Sequence, residues 1–463
     1  MGRAMRLTRR QLIAGAAGVA ALGSAGIYEL VDGLGAAPER AEAAPPLPEQ
    51  HLLEGQRVVR DNGVEVIVPP LHHEIVTATV NVDAKQLRAA QAELEYALTT
   101  IDRDFAPSPA GLGVTVAWGL PYFRAHVAAQ AARLLPHDRR AGKSALLDAI
   151  RFPSDPDDTI LEDNDVAVLL RSDRRDHIEE ASRRLFGELE LFRVTSIRRG
   201  FAGGGFAGGQ SLPKRMAVAA EVPGADLIPD TAELFLGFTS TQKAGLGPAK
   251  IANLETLGYA DLRGSAYFRE GTHMHLSHID EDLEAWYLNF DFRERVDTTF
   301  RPALAVAAGT QTVPQAPEDV VTADTVRHEF KLHGRIGHSA ALQSTTRLAG
   351  DTVGADGTVY PKGTAVPQRA DFNTLDNPFA WSSRPDDRMG EGPSAGVHFV
   401  VFNPTSDDFH RNRLAMDGVL PGKKIAFPPR ARGQGFNAVL STTHRQNFLV
   451  PPRRHRSFPL AEL

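Results

Sequence analysis

The sequence predicts an α+β fold in which two ferredoxin-like units pack side by side. Between residues 76 and 197, stretches with strand and helix periodicity follow the order β-α-β-β-α-β, which is the ferredoxin-like order. A second set begins near residue 272 and repeats strand, helix, strand, helix, interrupted by a long insertion at 290–395. The chain has 463 residues, enough for two or three domains at about 150 each. Its 42% hydrophobic and 23% charged content is that of a globular protein.

Taken in order, residues 1–43 read as an export segment. Arg9-Arg10, with Thr8 before and Leu12-Ile13 after, precede an uncharged Ala/Gly-rich run to Ile27. Ala41-Glu42-Ala43 offers a small-residue cleavage site, so the mature chain is expected to start near Ala44 and to act outside the cytoplasm, in the periplasm or beyond. The run is too short and glycine-rich for a span, which needs about 20 strongly apolar residues. Residues 44–70 form a linker, proline-rich and polar at 44–56.

The first unit is expected over 71–225. Val76–Val82 alternates as a strand, and Leu87, Leu94, Leu98 and Ile101 line one helix face. Gly113–Trp118 is a second strand, followed by a helix and an Asp/Pro-rich loop to Asn164. Val166–Leu170 reads as a buried strand, Asp176–Leu189 as a helix with Ile178, Ala181, Leu185 and Phe186 inward, and Phe192–Ile197 as a fourth strand. Gly200–Gly209 lacks the βαβ context of a phosphate loop and reads as a flexible connection. In the second unit, 226–463, the expected elements are strand Thr272–Ile279, helix Asp280–Asn289, strand Val397–Asn403 and helix Thr405–Met416. Within the insertion, Leu332–Gln343 begins as a strand, breaks at glycines and carries His333 and His338.

Cysteine is absent, which excludes disulfides, thiolate haem ligation, Fe–S clusters and cysteine zinc sites. The formal net charge is −6, and removal of five arginines and four acids with residues 1–43 makes it −7. That charge disfavours nucleic acid and anionic membranes as partners. The basic clusters Arg139-Arg140, Arg183-Arg184 and Arg453–Arg456 read as solvated faces.

Arg9-Arg10 resembles a twin-arginine signal, which implies export of a protein already folded, often around a cofactor. The landmarks of the body resemble, in order, the dye-decolourising peroxidase family. They are Asp165–Arg171 with its following helix, Arg199-Gly200-Phe201, Glu233–Thr241 in the place of a G-F-x-D-G motif, Gly271–Trp286, Gly337–Leu342 and Gly396–Phe402. The resemblance implies a dimeric α+β barrel type of fold, a haem b bound between similar halves, and His338 as the iron ligand. It implies an oxidoreductase that uses peroxide or dioxygen to oxidise a small organic substrate, assembled in this family from identical subunits. Two departures bear on chemistry. The family's distal aspartate falls on Ser240, and a hydroxyl is a far weaker base than a carboxylate. The distal arginine has no counterpart in Leu375-Asp376-Asn377-Pro378, although Asp376 and Asn377 match.

The candidate catalytic residues are therefore Ser240, Asp376 and Asn377. His338 is the candidate metal ligand, with His333 and His328 as substitutes. His275, His278, Arg335, Arg369 and Arg384 are candidate cofactor-binding residues, and Arg369 or Arg384 could replace the absent distal arginine. On a strand His273 and His275 share a face that could hold copper or zinc, while His278 points away. The alternative to a peroxidase is an exported haem- or porphyrin-binding protein of the same fold, without turnover. A hydrolase has no support, since neither G-x-S-x-G nor H-E-x-x-H occurs.

Overall fold

Strands that are apolar on both faces must be covered on both, and the sheet of this protein closes on itself to achieve this. The computed structural model describes residues 24–34, 46–61, 64–205, 209–238, 254–263, 266–311, 321–353, 357, 359–385, 387 and 392–463. In its first half β1 (His72–Val80), α1 (Leu87–Asp104), β2 (Gly113–Gly119), β3 (Val166–Ser172), α2 (Arg175–Ser182) and β4 (Phe192–Phe201) occur in the expected order. Val166, Val168 and Leu170 of β3 turn outward to Leu87, Ala90, Leu94, Leu98 and Ile101, which recur at helical spacing on α1. Ala167 and Leu169 turn inward.

The second half contains α3 (Leu212–Ala219), β5 (Thr272–Glu281), α4 (Leu283–Asn289), α5 (Phe292–Thr299), α6 (Ala323–His333) and α7 (His338–Thr346). These are followed by β6 (Phe372–Thr374), β7 (Gly396–Asn403), α8 (Ser406–Met416) and β8 (Leu440–Val450). The strand order is β4-β1-β3-β2 in one half and β8-β5-β7-β6 in the other, antiparallel throughout. The halves join at two seams, Phe448↔Gly119 with Leu449↔Trp118, and Asn373↔Phe201, so the eight strands form a closed barrel. Side chains fill its interior, among them Ile75, Met274, Leu276, Phe372, Val400, Phe402 and Phe448.

The 290–395 stretch is more than an insertion, because β6, the second strand of the second half, lies inside it. Three residues are too short for a period to register. The last strand, β8, was not expected either. Its polar residues serve on both faces, with His444 inside the barrel and Thr442 and Arg445 outside. Leu332-His333 ends helix α6 rather than a strand, and Gly334 caps that helix in the left-handed conformation (φ 68°). In the terminal basic cluster Arg456 is buried, pairing with Glu95 (3.1 Å) and Asp102 (2.7 Å), so it is no solvated face.

Of the expected export segment, residues 24–34 are described, and they pack into the body. Ile27, Tyr28, Val31 and Leu34 are buried in the second-half core. The Tyr28 hydroxyl lies 3.0 Å from Thr374 Oγ1 and accepts from the Leu375 amide at 3.0 Å. His72 pairs with Asp32 at 2.6 Å. The segment thus crosses the seam that Asn373 and Phe201 join in register. No helix among the described residues is long and apolar enough to cross a membrane.

Candidate functional site

A cavity separates the outer face of the second-half sheet from helices α7 and α8. About 1220 Å³ there is not filled by protein atoms, part of it open to solvent. Ile279, Val397, Phe399 and Val401 form an apolar floor, and Leu342, Phe409, Met416 and Phe436 an apolar roof. Leu234 and Leu236, from the stretch that takes the place of the G-F-x-D-G motif, close one side.

His338 is placed on the roof by its backbone. It is the first residue of α7, which follows Gly337 in extended conformation. A Cβ on Gly337 would lie 2.2 Å from the Phe300 carbonyl oxygen, so only glycine lets the chain pass there. The Ala340 amide donates to that same oxygen (3.0 Å). On the other side the Ile336 amide donates to Gly433 O (2.8 Å) and the Gly435 amide to Ile336 O (3.0 Å), with Gly435 at φ +48° against the His338 backbone. The imidazole leans on Phe436 with ring centroids 4.6 Å apart. Burial, followed by the charges of Arg369 and Arg413, pulls its pKa down to about 3, so the ring is neutral at physiological pH. Its Nδ1 is buried with no hydrogen-bond partner among the described residues.

The floor carries the polar groups. Gln368–Arg369 and β6 both pair with β7, in register Arg369↔Val401 and Asn373↔Val397. Alternation along this stretch therefore puts Arg369, Asp371 and Asn373 on the cavity face. Arg369 Nε is 3.3 Å from Asp371 Oδ1. Glu281, at the end of β5, faces the same space. Burial, then Asp371 and Asp280, pushes its carboxyl up to about 8. Also on the lining, the buried Arg413 and Arg445 converge on Asp155 at 3.3 and 2.6 Å.

The structure brings together His338 and Arg369 from the sequence-derived set. Ser240 lies outside the described residues. Asp376 and Asn377 do not line the cavity: Asp376 is buried near Tyr28, whose pKa is raised by burial and then by that carboxylate. His275 lies outside the barrel, stacked on Phe409 and saturated, its Nδ1 donating to Asn447 Oδ1 (2.7 Å) and its Nε2 accepting from Ser277 Oγ (2.5 Å). His278 is inside the barrel against His398 and Phe379, and so cannot reach the cavity. Arg335 stands near Glu294 (4.0 Å) and Asp297 (3.8 Å), and Arg384 pairs with Asp163; neither lines the cavity. His333 and His328 are exposed on α6. Sequence reasoning missed Glu281, Asp371, Asn373, Arg413 and Arg445. The Arg369-x-Asp371-x-Asn373 spacing was the available signal.

A family model described as a family of unknown function (DUF7405) matches residues 70–452. The chain belongs to that family. No curated protein matches it. Among solved structures it is similar to a DyP-type peroxidase from Cellulomonas bogoriensis, 18% identical with a TM-score of 0.52, over 88% of this chain and 96% of that one. A DypB variant in complex with manganese is 13% identical, with a TM-score of 0.51, over 88% and 98%. A DypB variant of Rhodococcus jostii RHA1 in complex with heme is 13% identical, with a TM-score of 0.50, over 84% and 95%. This DUF7405 member thus shares its overall fold with DyP-type peroxidases.

Proposed function

We propose that this chain binds haem b through His338 and acts as a peroxidase-type oxidoreductase on peroxide and a small reducing substrate. The observation that carries the reading is His338 itself: a neutral imidazole with an unpartnered buried nitrogen, facing a cavity with apolar roof and floor. A neutral imidazole is the form that ligates iron. Apolar surfaces on both sides suit a flat macrocycle, and Arg413 and Arg445 supply positive charge for its two carboxylates. The residues present therefore fit the group. When bound, haem supplies a redox-active iron that reacts with peroxide. His338 would hold it in place, the apolar walls exclude bulk water, and Asn373 and Arg369 offer donors to a small oxygen ligand.

The fold likeness includes a protein in complex with heme, which supports the reading. Purified protein, or protein offered hemin, is expected to show a Soret band that His338→Ala abolishes. Protein that stays colourless with hemin would refute it. A carrier without turnover is favoured by one observation: Asp376 and Asn377 are not among the residues that line the cavity. Peroxide-driven oxidation of a dye faster than by free hemin separates the two readings.

We read the halves as ferredoxin-like units spanning 71–225 and 226–463, joined to the leader by the 44–70 linker. Export by the twin-arginine route to the periplasm or medium, and assembly from identical subunits, complete the proposal. Mass spectrometry of the mature N-terminus and sedimentation test those two points.

A further inference from the structure

We propose that Glu281 is the residue that holds and delivers a proton inside the cavity, with Asp371 and Arg369 as its positioning partners. The inference deepens the haem reading and rests on it for the identity of the acceptor. Glu281 ends strand β5, where its amide donates to Ala395 O (3.0 Å) and its Cα stands opposite Leu440. That register points its side chain into the cavity beside Leu440, which also lines it.

One carboxyl oxygen, Oε2, is buried there without a hydrogen-bond partner. An ionised carboxylate with one oxygen so placed has neither water nor a donor at that oxygen, so the group keeps its proton instead. The charges around it act in the same direction. Asp371 approaches from the strand carrying β6, and Asp280 from β5 itself. Tyr287 of α4 is in turn affected by Glu281. The nearby cation Arg369 is engaged at 3.3 Å with Asp371. Two carboxyls thus share one wall, Asp371 beside a guanidinium and Glu281 beside acids.

The step is a plain proton transfer. The O–H bond of the Glu281 carboxylic acid breaks as an O–H bond forms on the oxygen of a small peroxide-class ligand. No electron changes hands, and solvent reprotonates the carboxylate through the open side of the cavity.

The test uses the full chain and Glu281→Gln. In the unloaded protein at pH 7, infrared difference spectroscopy between wild type and E281Q is expected to show a carboxylic C=O stretch, present only in wild type and titrating near pH 8. Asp371→Asn, which removes a like charge, is expected to move that titration down. A stretch that persists in E281Q, or a titration indifferent to D371N, would overturn the proposal. In hemin-loaded protein E281Q is expected to keep the Soret band and to react with peroxide about 10²–10⁴-fold more slowly at pH 7. An unchanged rate with the band intact also overturns it. Wild type that takes up no hemin fails the haem reading instead, and the infrared result still decides whether Glu281 holds the proton.

Discussion

Lowering the pH should unfold this protein well before its carboxylates are titrated. His73, His273, His275, His278 and His398 are each at most 2% exposed. In all five, burial is the first cause that holds the ring below its ordinary pKa of 6.5, to about 3 for His273 and well below 6.5 for the others. A basic group whose folded pKa is depressed leaves stability complete above 6.5 and removes it as the pH falls, because the unfolded chain binds the extra proton. Each histidine removes about 1.4 kcal/mol per pH unit in that window. His338, held at about 3, and His410, at about 4, add to these five, while five carboxyls act in the opposite sense: Glu281, raised to about 8, Asp280, raised to about 6 but partly exposed and screened, and Asp165, Asp173 and Asp297, each raised by burial. With seven histidines against five carboxyls at least two protons remain uncompensated, so about 3 kcal/mol should vanish between pH 6 and pH 5. That is a large part of the 5–15 kcal/mol typical of folded domains. Urea unfolding across a pH series measures the slope, and His398→Phe, which keeps the ring contact with Phe379, should lower it by about 1.4 kcal/mol per unit. A midpoint that is flat or rising from pH 6.5 to pH 5 would refute the reasoning.

Other perturbations give separate readouts. Tyr28→Phe removes the hydroxyl that meets Thr374 and Leu375 and should cost about 1–3 kcal/mol in urea unfolding, with deletion of residues 1–43 costing more. Glu162→Gln leaves Arg198 inside the barrel without its bidentate partner (both contacts 2.6 Å) and should destabilise by about 3–5 kcal/mol in the same assay. Gly337→Ala pushes a methyl group into the Phe300 carbonyl and displaces the start of α7; weakened hemin uptake by absorption titration, with the far-UV spectrum retained, is the expected result.

The first half was legible because its strands and helices have long, one-sided apolar patterns: Leu87, Leu94, Leu98 and Ile101 lie on α1 as spaced. His338 was legible only through the resemblance, since nothing in Gly337-His338-Ser339 marks a ligand by itself. The opposite wall was misplaced by a few residues. Asp376-Asn377 matched the expected letters, whereas the cavity is faced by Arg369, Asp371 and Asn373. Letters in a loop before a proline carry no register, while alternate positions on a strand do. The Arg456 cluster failed for a related reason. A run of cations says nothing about whether Glu95 and Asp102, some 350 residues earlier, will come to meet it.

Both halves have the same strand order, and the cavity with His338 lies against the outer face of the second-half sheet; the side chains on the two outer faces account for the difference. In the first half Val114, Val116, Trp118, Val168 and Leu170 meet α1, α2 and the C-terminal Phe458 and Leu460, and Trp118 is wholly buried. Large apolar groups on sheet and helices interdigitate there. In the second half the equivalent face presents Ser277, Glu281, Asn373, Thr442 and Arg445 among its apolar residues, and α8 presents Asn412 and Arg413 in return. Such groups cannot collapse onto one another without losing water or partners. Helices α6, α7 and α8 instead bury their apolar sides against each other, through Val326, Ala340, Ala341 and Ala415, and stand off the sheet as a preformed roof. A space held open in this way costs stability that the first half does not forgo, which is what a site kept for a ligand requires. Occupation of that space by its ligand should therefore raise the unfolding temperature of the second half in particular.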